Sequence, residues 1–286
     1  MSRGESAPER LWPMLEEVRG ERGRVIFLTG AGISAESGIP TFRGPEGYWK
    51  IGSRNYFPEE LATFRAFSSM PDEIWAWYLW RRSVCAGAEP NAAHRALVEL
   101  EQRLGDRFLL ITQNVDGLHR RAGQSEARLF EIHGRIERMR CAADCCPDVL
   151  PIPEGVQLHW ERGRALGEPE RALLVCPRCG GRSRPHVLWF DERYDEEHFR
   201  FESSLAALER AVLLVVVGTS GATTLPNHLV TQAVRSGIRV AVLNLDPSPF
   251  SAMAERSENG VFWQASACEG VPVISAALAG PVRDKP

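Results

Sequence analysis

Four short runs along the chain are apolar at nearly every position: Arg24–Thr29, Phe108–Thr112, Val212–Val217 and Val240–Leu245. An alternating strand shows one face to water, whereas an unbroken apolar run fits a parallel strand covered on both faces. Helical patterns lie between these runs, over Leu11–Arg19, Pro71–Val84, Asn91–Arg103, Phe201–Arg210 and Asn227–Ser236. Strands alternating with helices predict an α/β fold, a Rossmann-like doubly wound parallel sheet. Between Met139 and Arg184 the periodicity fades while Pro, Gly, Cys and charge rise. That shift predicts a small inserted module over 139–184, with the Rossmann-like domain built from 1–138 and 185–286.

The strand ends carry more information than the strands. They read Thr29-Gly30, Thr112-Gln113-Asn114, Gly218-Thr219-Ser220 and Asn244. Open parallel sheets bind ligands outside the carboxyl ends of their strands, so four ends with small or amide-bearing residues predict a polar ligand there.

Composition narrows the class. At 286 residues and 44% hydrophobic, the chain can bury a core without disulfide support. A net charge of −3 gives no footing for nucleic acid as the main partner. No apolar run approaches the roughly 20 residues that span a bilayer, and Met1–Glu9 contains no apolar signal region. The expectation is a cytoplasmic, monomeric protein without membrane partners. Seven cysteines, most of them in two short clusters, argue for metal rather than disulfides.

Gly30-Ala31-Gly32-Ile33-Ser34-Ala35 follows a strand and matches the dinucleotide fingerprint, in which glycines let the backbone approach a pyrophosphate. The bland alternative is an ordinary glycine turn. The acidic residue expected roughly 20 positions on is not evident, so NAD can be the cofactor without hydride transfer being the chemistry. Cys176-Pro177-Arg178-Cys179 has zinc-knuckle spacing, and Cys141 with Cys145 or Cys146 supplies a second thiolate pair. Asp144 stands where a C-x-x-C would put its second thiol. Cys145 is the preferred fourth ligand, and an all-cysteine set implies a closed structural zinc site. Gln113 to His119 begins at a strand end, where amides and a carboxylate could hold a ribose, a carboxamide or a water; a helix cap by Asn114 or Asp116 is the alternative. His133 has a side chain whose unperturbed pKa, about 6.5, suits hydroxyl deprotonation near neutrality.

The ordered set resembles the sirtuin family: Gly30–Ser34, Ser37-Gly38-Ile39-Pro40-Thr41-Phe42-Arg43, Thr112–His119, Glu131-Ile132-His133-Gly134, two cysteine pairs, Arg184–Phe190, Gly218-Thr219-Ser220 and Asn244. The resemblance covers about residues 22 to 270. It implies that NAD and an acyl-lysine of a protein or peptide meet between a Rossmann-like domain and a zinc module. Gly30, Ala31, Gly32, Ser34, Phe42 and Arg43 would then line the NAD pocket, with Gln113, Asn114 and Asp116 at the nicotinamide and its ribose. Gly218, Thr219, Ser220 and Asn244 would meet the adenosine half. His133 would be the general base, with Asn114 and Asp116 beside it, and Val187, Trp189 and Phe190 would pair with an extended substrate. The implied reaction is attack of the acyl oxygen on the ribose carbon that bears nicotinamide, followed by His133-assisted transfer of the acyl group to ADP-ribose. Asp191, where the family has Gly, and Gly221-Ala222-Thr223-Thr224-Leu225 depart from the pattern.

Tyr78-Leu79-Trp80-Arg81, with Ala62 upstream, resembles the Tyr-x-x-Arg branch that accepts succinyl- or malonyl-lysine. Three-residue spacing puts Tyr78 and Arg81 on one helical face. The plainer alternative is an amphipathic helix with Arg81 and Arg82 in solvent. Two other functions stay open at this point: mono-ADP-ribosyl transfer and silent NAD binding, although the latter needs no base.

Overall fold

The computed structural model describes residues 6–40, 49–51 and 54–280. Phe42 and Arg43 lie outside the described residues, as does the tail from Pro281.

The four apolar runs are strands, and with five further strands they are numbered here in chain order: β1 Arg24–Thr29, β2 Phe108–Thr112, β3 Leu129–Glu131, β4 Gly134–Cys141, β5 Leu150–Pro151, β6 Ser183–Val187, β7 Ala211–Val217, β8 Arg239–Asn244 and β9 Gly260–Gln264. Six form one parallel sheet in the order β9-β8-β7-β1-β2-β3. Counting these six alone, the order is 3-2-1-4-5-6, the doubly wound arrangement, and its topological switch falls between β1 and β7. Alternation within β1 shows why the strand is apolar throughout. Val25 and Phe27 enter the core on one face, and Ile26 and Leu28 the core on the other.

A second, antiparallel sheet has the order β5-β4-β6. Its core is shared rather than private. Helix α1, Pro71–Gly87, sends Trp75, Trp77, Tyr78 and Leu79 into a cluster with Ile136, Met139, Ile152, Trp160, Leu174 and Trp189. Every position from Ile74 to Leu79 is buried, so this helix is sunk in the protein instead of floating one face in water. Helix α2, Thr224–Arg235, starts three residues before the sequence expectation, because Pro226 is tolerated in a first turn whose N–H groups have no helical partner. No helix among the described residues is long and apolar enough to cross a membrane.

Candidate functional site

The loop after β1 and the loop after β7 press together at the switch point. A Cβ on Gly32 would lie 2.6 Å from the Gly218 Cα, and one on Gly30 would lie 2.7 Å from the Thr219 Cβ. Gly30 N donates to the Val217 carbonyl (2.9 Å) and Gly32 N to the Gly218 carbonyl (2.8 Å). Glycine is thus required here by close packing of two backbones. At Gly218 a φ of +62° adds a conformational reason. Ala31 precedes the short helical turn Gly32–Ala35, which buries Ser34.

Ser34 joins the two residues expected beside the base. Asn114 Nδ2 donates to Ser34 Oγ (3.0 Å), which donates to Asp116 Oδ2 (2.7 Å). Burial pushes the Asp116 carboxyl up, while the Leu118 N–H and the Ser34 hydroxyl pull it back. Asp116 Oδ1 accepts from Leu118 N (2.9 Å), so the helix-capping role and the site role coexist in one carboxylate. Beneath them lies a polar layer not assigned from the sequence. Thr29 Oγ1 donates to Thr112 Oγ1 (2.9 Å) and sits 3.1 Å from His119 Nε2, and Asn114 N donates to Thr112 Oγ1 (3.1 Å). Burial holds His119 neutral, with its pKa well below the ordinary value. This layer ties the ends of β1 and β2 together and fixes where Gln113 and Asn114 emerge.

On the far side of the switch, Asn244 holds the Thr219 backbone at both ends: its Oδ1 accepts from Thr219 N (3.1 Å) and its Nδ2 donates to Thr219 O (3.0 Å). Asn244 therefore shapes the Gly218-Thr219-Ser220 loop, and Ser220 is exposed at its rim. Gln113 Nε2 donates to Thr219 Oγ1 (3.0 Å), joining the β2 and β7 ends. The departing segment 221–225 is ordered by Asn227, whose Nδ2 donates to the carbonyls of Gly221 (2.7 Å) and Thr223 (2.8 Å).

His133, between β3 and β4, is half-buried. One ring nitrogen donates to the Gln113 carbonyl, and Nε2 is 2.8 Å from the Tyr194 hydroxyl. Burial lowers its pKa to about 4, with the Gln113 carbonyl acting the other way, so the ring is neutral at pH 7 and able to accept a proton. Tyr194 and Thr223 are the neighbours that sequence reasoning missed. A lone tyrosine in an acidic stretch carries no periodic or spacing signal.

The segment expected to meet substrate is pinned from two sides. Leu188 N donates to His133 O (3.0 Å) and Phe190 N to Ala62 O (2.9 Å). Val187 and Trp189 are buried, and Phe190 is half-exposed. Trp189 Nε1 donates to the Tyr78 hydroxyl (2.8 Å), and the Arg184 guanidinium lies 3.5 Å over the Trp189 ring. Asp191 has a physical role: its carboxylate accepts from Phe64 N (2.7 Å) and Arg65 N (3.1 Å), capping the Phe64–Ser69 helix. Its φ is not positive, so the turn does not call for glycine. Arg81 is partly exposed beside the Trp77 ring (5.5 Å). Burial lowers its pKa, an effect that Cys85, Tyr78 and Asp116 oppose.

Cys141, Cys145, Cys176 and Cys179 converge, their sulfurs all within 4.8 Å of one another. Zn–S bonds of about 2.3 Å in a tetrahedron require S···S separations near 3.8 Å. The Cys141–Cys179 and Cys145–Cys176 distances are 3.7 and 3.6 Å. The donor set fits structural zinc, and the fourth sulfur of the cluster is that of Cys145 rather than Cys146. Asp144 lets the turn reach Cys145 by adopting φ +47°. The backbone N–H groups of Cys179 and Arg178 bring the Cys176 pKa down to about 6, which favours a thiolate.

A glycine-packed switch point, a neutral half-buried histidine and a closed thiolate site together define a nucleotide-binding α/β protein with a structural-metal module. A model of the Sir2 family matches residues 30–224, and the chain belongs to that family. It is 43% identical over 249 residues to an NAD-dependent protein deacylase of Thermus thermophilus, covering 85% of this chain and 89% of the relative. A second NAD-dependent protein deacylase, from Aeropyrum pernix, is 40% identical over 247 residues, covering 86% and 91%. Among solved structures, a Sir2 homolog–NAD complex superposes with a TM-score of 0.73 at 32% identity, covering 97% of this chain and 96% of that one. A Sir2–p53 peptide–NAD+ complex gives 0.69 at 25% identity, covering 93% and 96%.

Proposed function

We propose that this protein removes acyl groups from lysine side chains in an NAD-dependent reaction, preferring succinyl- and malonyl-lysine. Nicotinamide, O-acyl-ADP-ribose and free lysine are the products. The observation that carries the reading is His133: a neutral, half-buried imidazole against the Gln113 carbonyl, two residues past the end of a strand in a doubly wound sheet. Pure nucleotide binding needs no such base. NAD, when bound, supplies an electrophilic ribose carbon and nicotinamide as its leaving group.

The chain's own residues supply position and proton transfer. The Asn114–Ser34–Asp116 chain orients polar groups toward the ribose, and Asn244 holds the Thr219 loop toward the adenosine side. Phe42 and Arg43, by the motif they belong to, complete the NAD pocket. His133 accepts a ribose hydroxyl proton at Nε2. The 187–190 segment offers its edge to an extended substrate peptide. Zinc stays structural, since four thiolates leave it no open position. The protein is read as a cytoplasmic monomer acting on acyl-lysine proteins, in keeping with seven cysteines free of disulfides.

The acyl preference rests on α1. A carboxylate entering a buried pocket requires a partner. Arg81 offers a planar fork of donors. The Tyr78 oxygen accepts from Trp189 and keeps its own hydrogen to donate. Ala62, small and buried, leaves room for a longer acyl chain. A charge-assisted hydrogen bond contributes about 1.5–3 kcal/mol, or one to two orders of magnitude in selectivity. The test is mass spectrometry of NAD reactions with acetyl-, succinyl- and malonyl-lysine peptides. His133→Ala should lose about 10²–10⁴-fold in every deacylation. Arg81→Met should depress desuccinylation far more than deacetylation, mainly through KM. Equal losses for both acyl groups would refute the acyl assignment. ADP-ribose appearing on the peptide itself would replace deacylation by ADP-ribosyl transfer.

A further inference from the structure

Polar contacts lead from His133 to Tyr194 and, beside it, from Thr223 back to Gln113. Tyr194 OH is 2.8 Å from Nε2, with the two rings tilted at 5.8 Å. The Thr223 side chain and the Leu225 backbone N–H act on the phenol against the effect of its burial. Thr223 Oγ1 lies 3.0 Å from Gln113 Oε1, and the Gln113 carbonyl accepts from the other nitrogen of His133. The Tyr194 ring packs on Phe201, with centroids 6.2 Å apart. Two stretches that depart from the family pattern, the one after Phe190 and the one at 221–225, meet at these contacts.

A carbonyl can only accept. The nitrogen facing Gln113 therefore carries the ring hydrogen, and Nε2 holds the lone pair. Burial raises the Tyr194 pKa to about 12, so the phenol keeps its proton and donates it to Nε2. No charged side chain contributes to the low pKa of His133, whose cause is burial. The nearby Glu131 is occupied by Arg120 (2.9 Å) and Arg135 (2.6 Å).

We propose that Tyr194 is a positioning residue for the base: its hydroxyl caps and aims the proton-accepting nitrogen of His133, and it yields that place to the ribose hydroxyl when NAD binds. The inference rests on the deacylase reading. After the exchange, Nε2 would take the proton of the ribose hydroxyl, whose oxygen would add to the acyl carbon while that carbon's π-electron pair moves onto the lysine nitrogen. The imidazolium keeps its other N–H on the Gln113 carbonyl. The tyrosine hydroxyl thus competes with the substrate hydroxyl for one lone pair, and it fills that lone pair while the site is free of ligand.

The test is Tyr194→Phe in the zinc-loaded protein, read by NMR titration of the His133 ring without ligand and by steady-state kinetics in NAD. A hydrogen bond to the neutral form disfavours the charged form. Its loss should raise the His133 pKa by about one unit, consistent with the strength of one ordinary hydrogen bond. KM for NAD should fall several-fold, with a smaller change in kcat. Thr223→Val, which keeps the phenol but loosens its anchor, should shift both in the same direction by less. A folded Tyr194→Phe protein with the wild-type His133 titration overturns the proposal. So does a kcat loss of about 10²-fold or more at unchanged KM, which would put the hydroxyl in the proton path itself. If wild-type protein has no activity on acyl-lysine peptides while the titration behaves as expected, the deacylase reading falls and the Tyr194–His133 contact stands.

Discussion

The parallel-sheet body and the cysteine-bearing region hold themselves together by different means. In the body, β1 sends alternate side chains into two separate cores, and β7 and β8 do the same. Burial on both faces fixes the strands, which leaves the residues just past their ends free to be polar. Around the cysteines, β5 has two residues, and the apolar core is completed by helix α1 from elsewhere in the chain. Four thiolates there take over part of what a core does in the body. The body can therefore carry a buried set of polar groups, while the other region depends on its metal.

Removing zinc should have the largest effect. Structural zinc contributes about 10–16 kcal/mol in zinc-finger peptides, and site formation is coupled to folding. Under a strong chelator, hydrogen exchange should accelerate at the knuckle amides of Cys176 and Gly180, which now bond Gly181 O (2.7 Å) and Cys176 O (2.9 Å). Amides of β1 and β7 should stay protected. Persistent protection at Cys176 in metal-free protein would erase the contrast between the two regions.

Acidification comes next and strikes chiefly the body. Burial depresses His94 and His133 to about 4, His186 to about 3, and His119 well below its ordinary value. The unfolded chain protonates these groups near pH 6.5. Their neutral burial thus costs nothing above that pH, and stability falls as pH drops from 6.5 toward 4. Four such histidines give a slope approaching about 5 kcal/mol per pH unit near pH 5. Asp116 and Glu131, whose pKa values burial raises, retain protons in the folded state and trim that slope at its acid end. Urea melts between pH 7 and 5 measure it. A flat profile would mean that these imidazoles are not buried neutral.

Smaller again is the effect of crowding the switch point. Gly32→Ala drives a Cβ against backbone that cannot step aside, and overpacking of this kind costs about 1–3 kcal/mol. Gly87→Ala, with open space around its Cβ, is the neutral control. A Gly32→Ala protein as stable as wild type would mean that the two loops do not meet as described. Least of all, Cys146→Ser should leave zinc content unchanged where Cys145→Ser abolishes it. The reverse result would swap the neighbours.

Several residues were legible before any coordinates. The six-residue run Arg24–Thr29 and the five-residue run Phe108–Thr112 are strands with those bounds, because strands buried on both faces write themselves as unbroken apolar runs. The four metal ligands were legible because thiolate spacing on tight turns is a local property. By contrast, β3 has three residues, too few for any period to register, and the burial of α1 on all sides between Ile74 and Leu79 depends on what packs around it.

The amino-acid order alone determined the sheet class, the polar strand ends and the cysteine cluster, since each rests on composition, period or spacing within one segment. Only the tertiary structure decided that Gly30 and Gly32 answer to Gly218, that Asp191 caps the Phe64–Ser69 helix, and that Tyr194 sits on Nε2 of His133. The partners in each case are at least about sixty residues apart in the chain. Their meeting depends on how sheet and helices pack, and no local pattern of side chains encodes that.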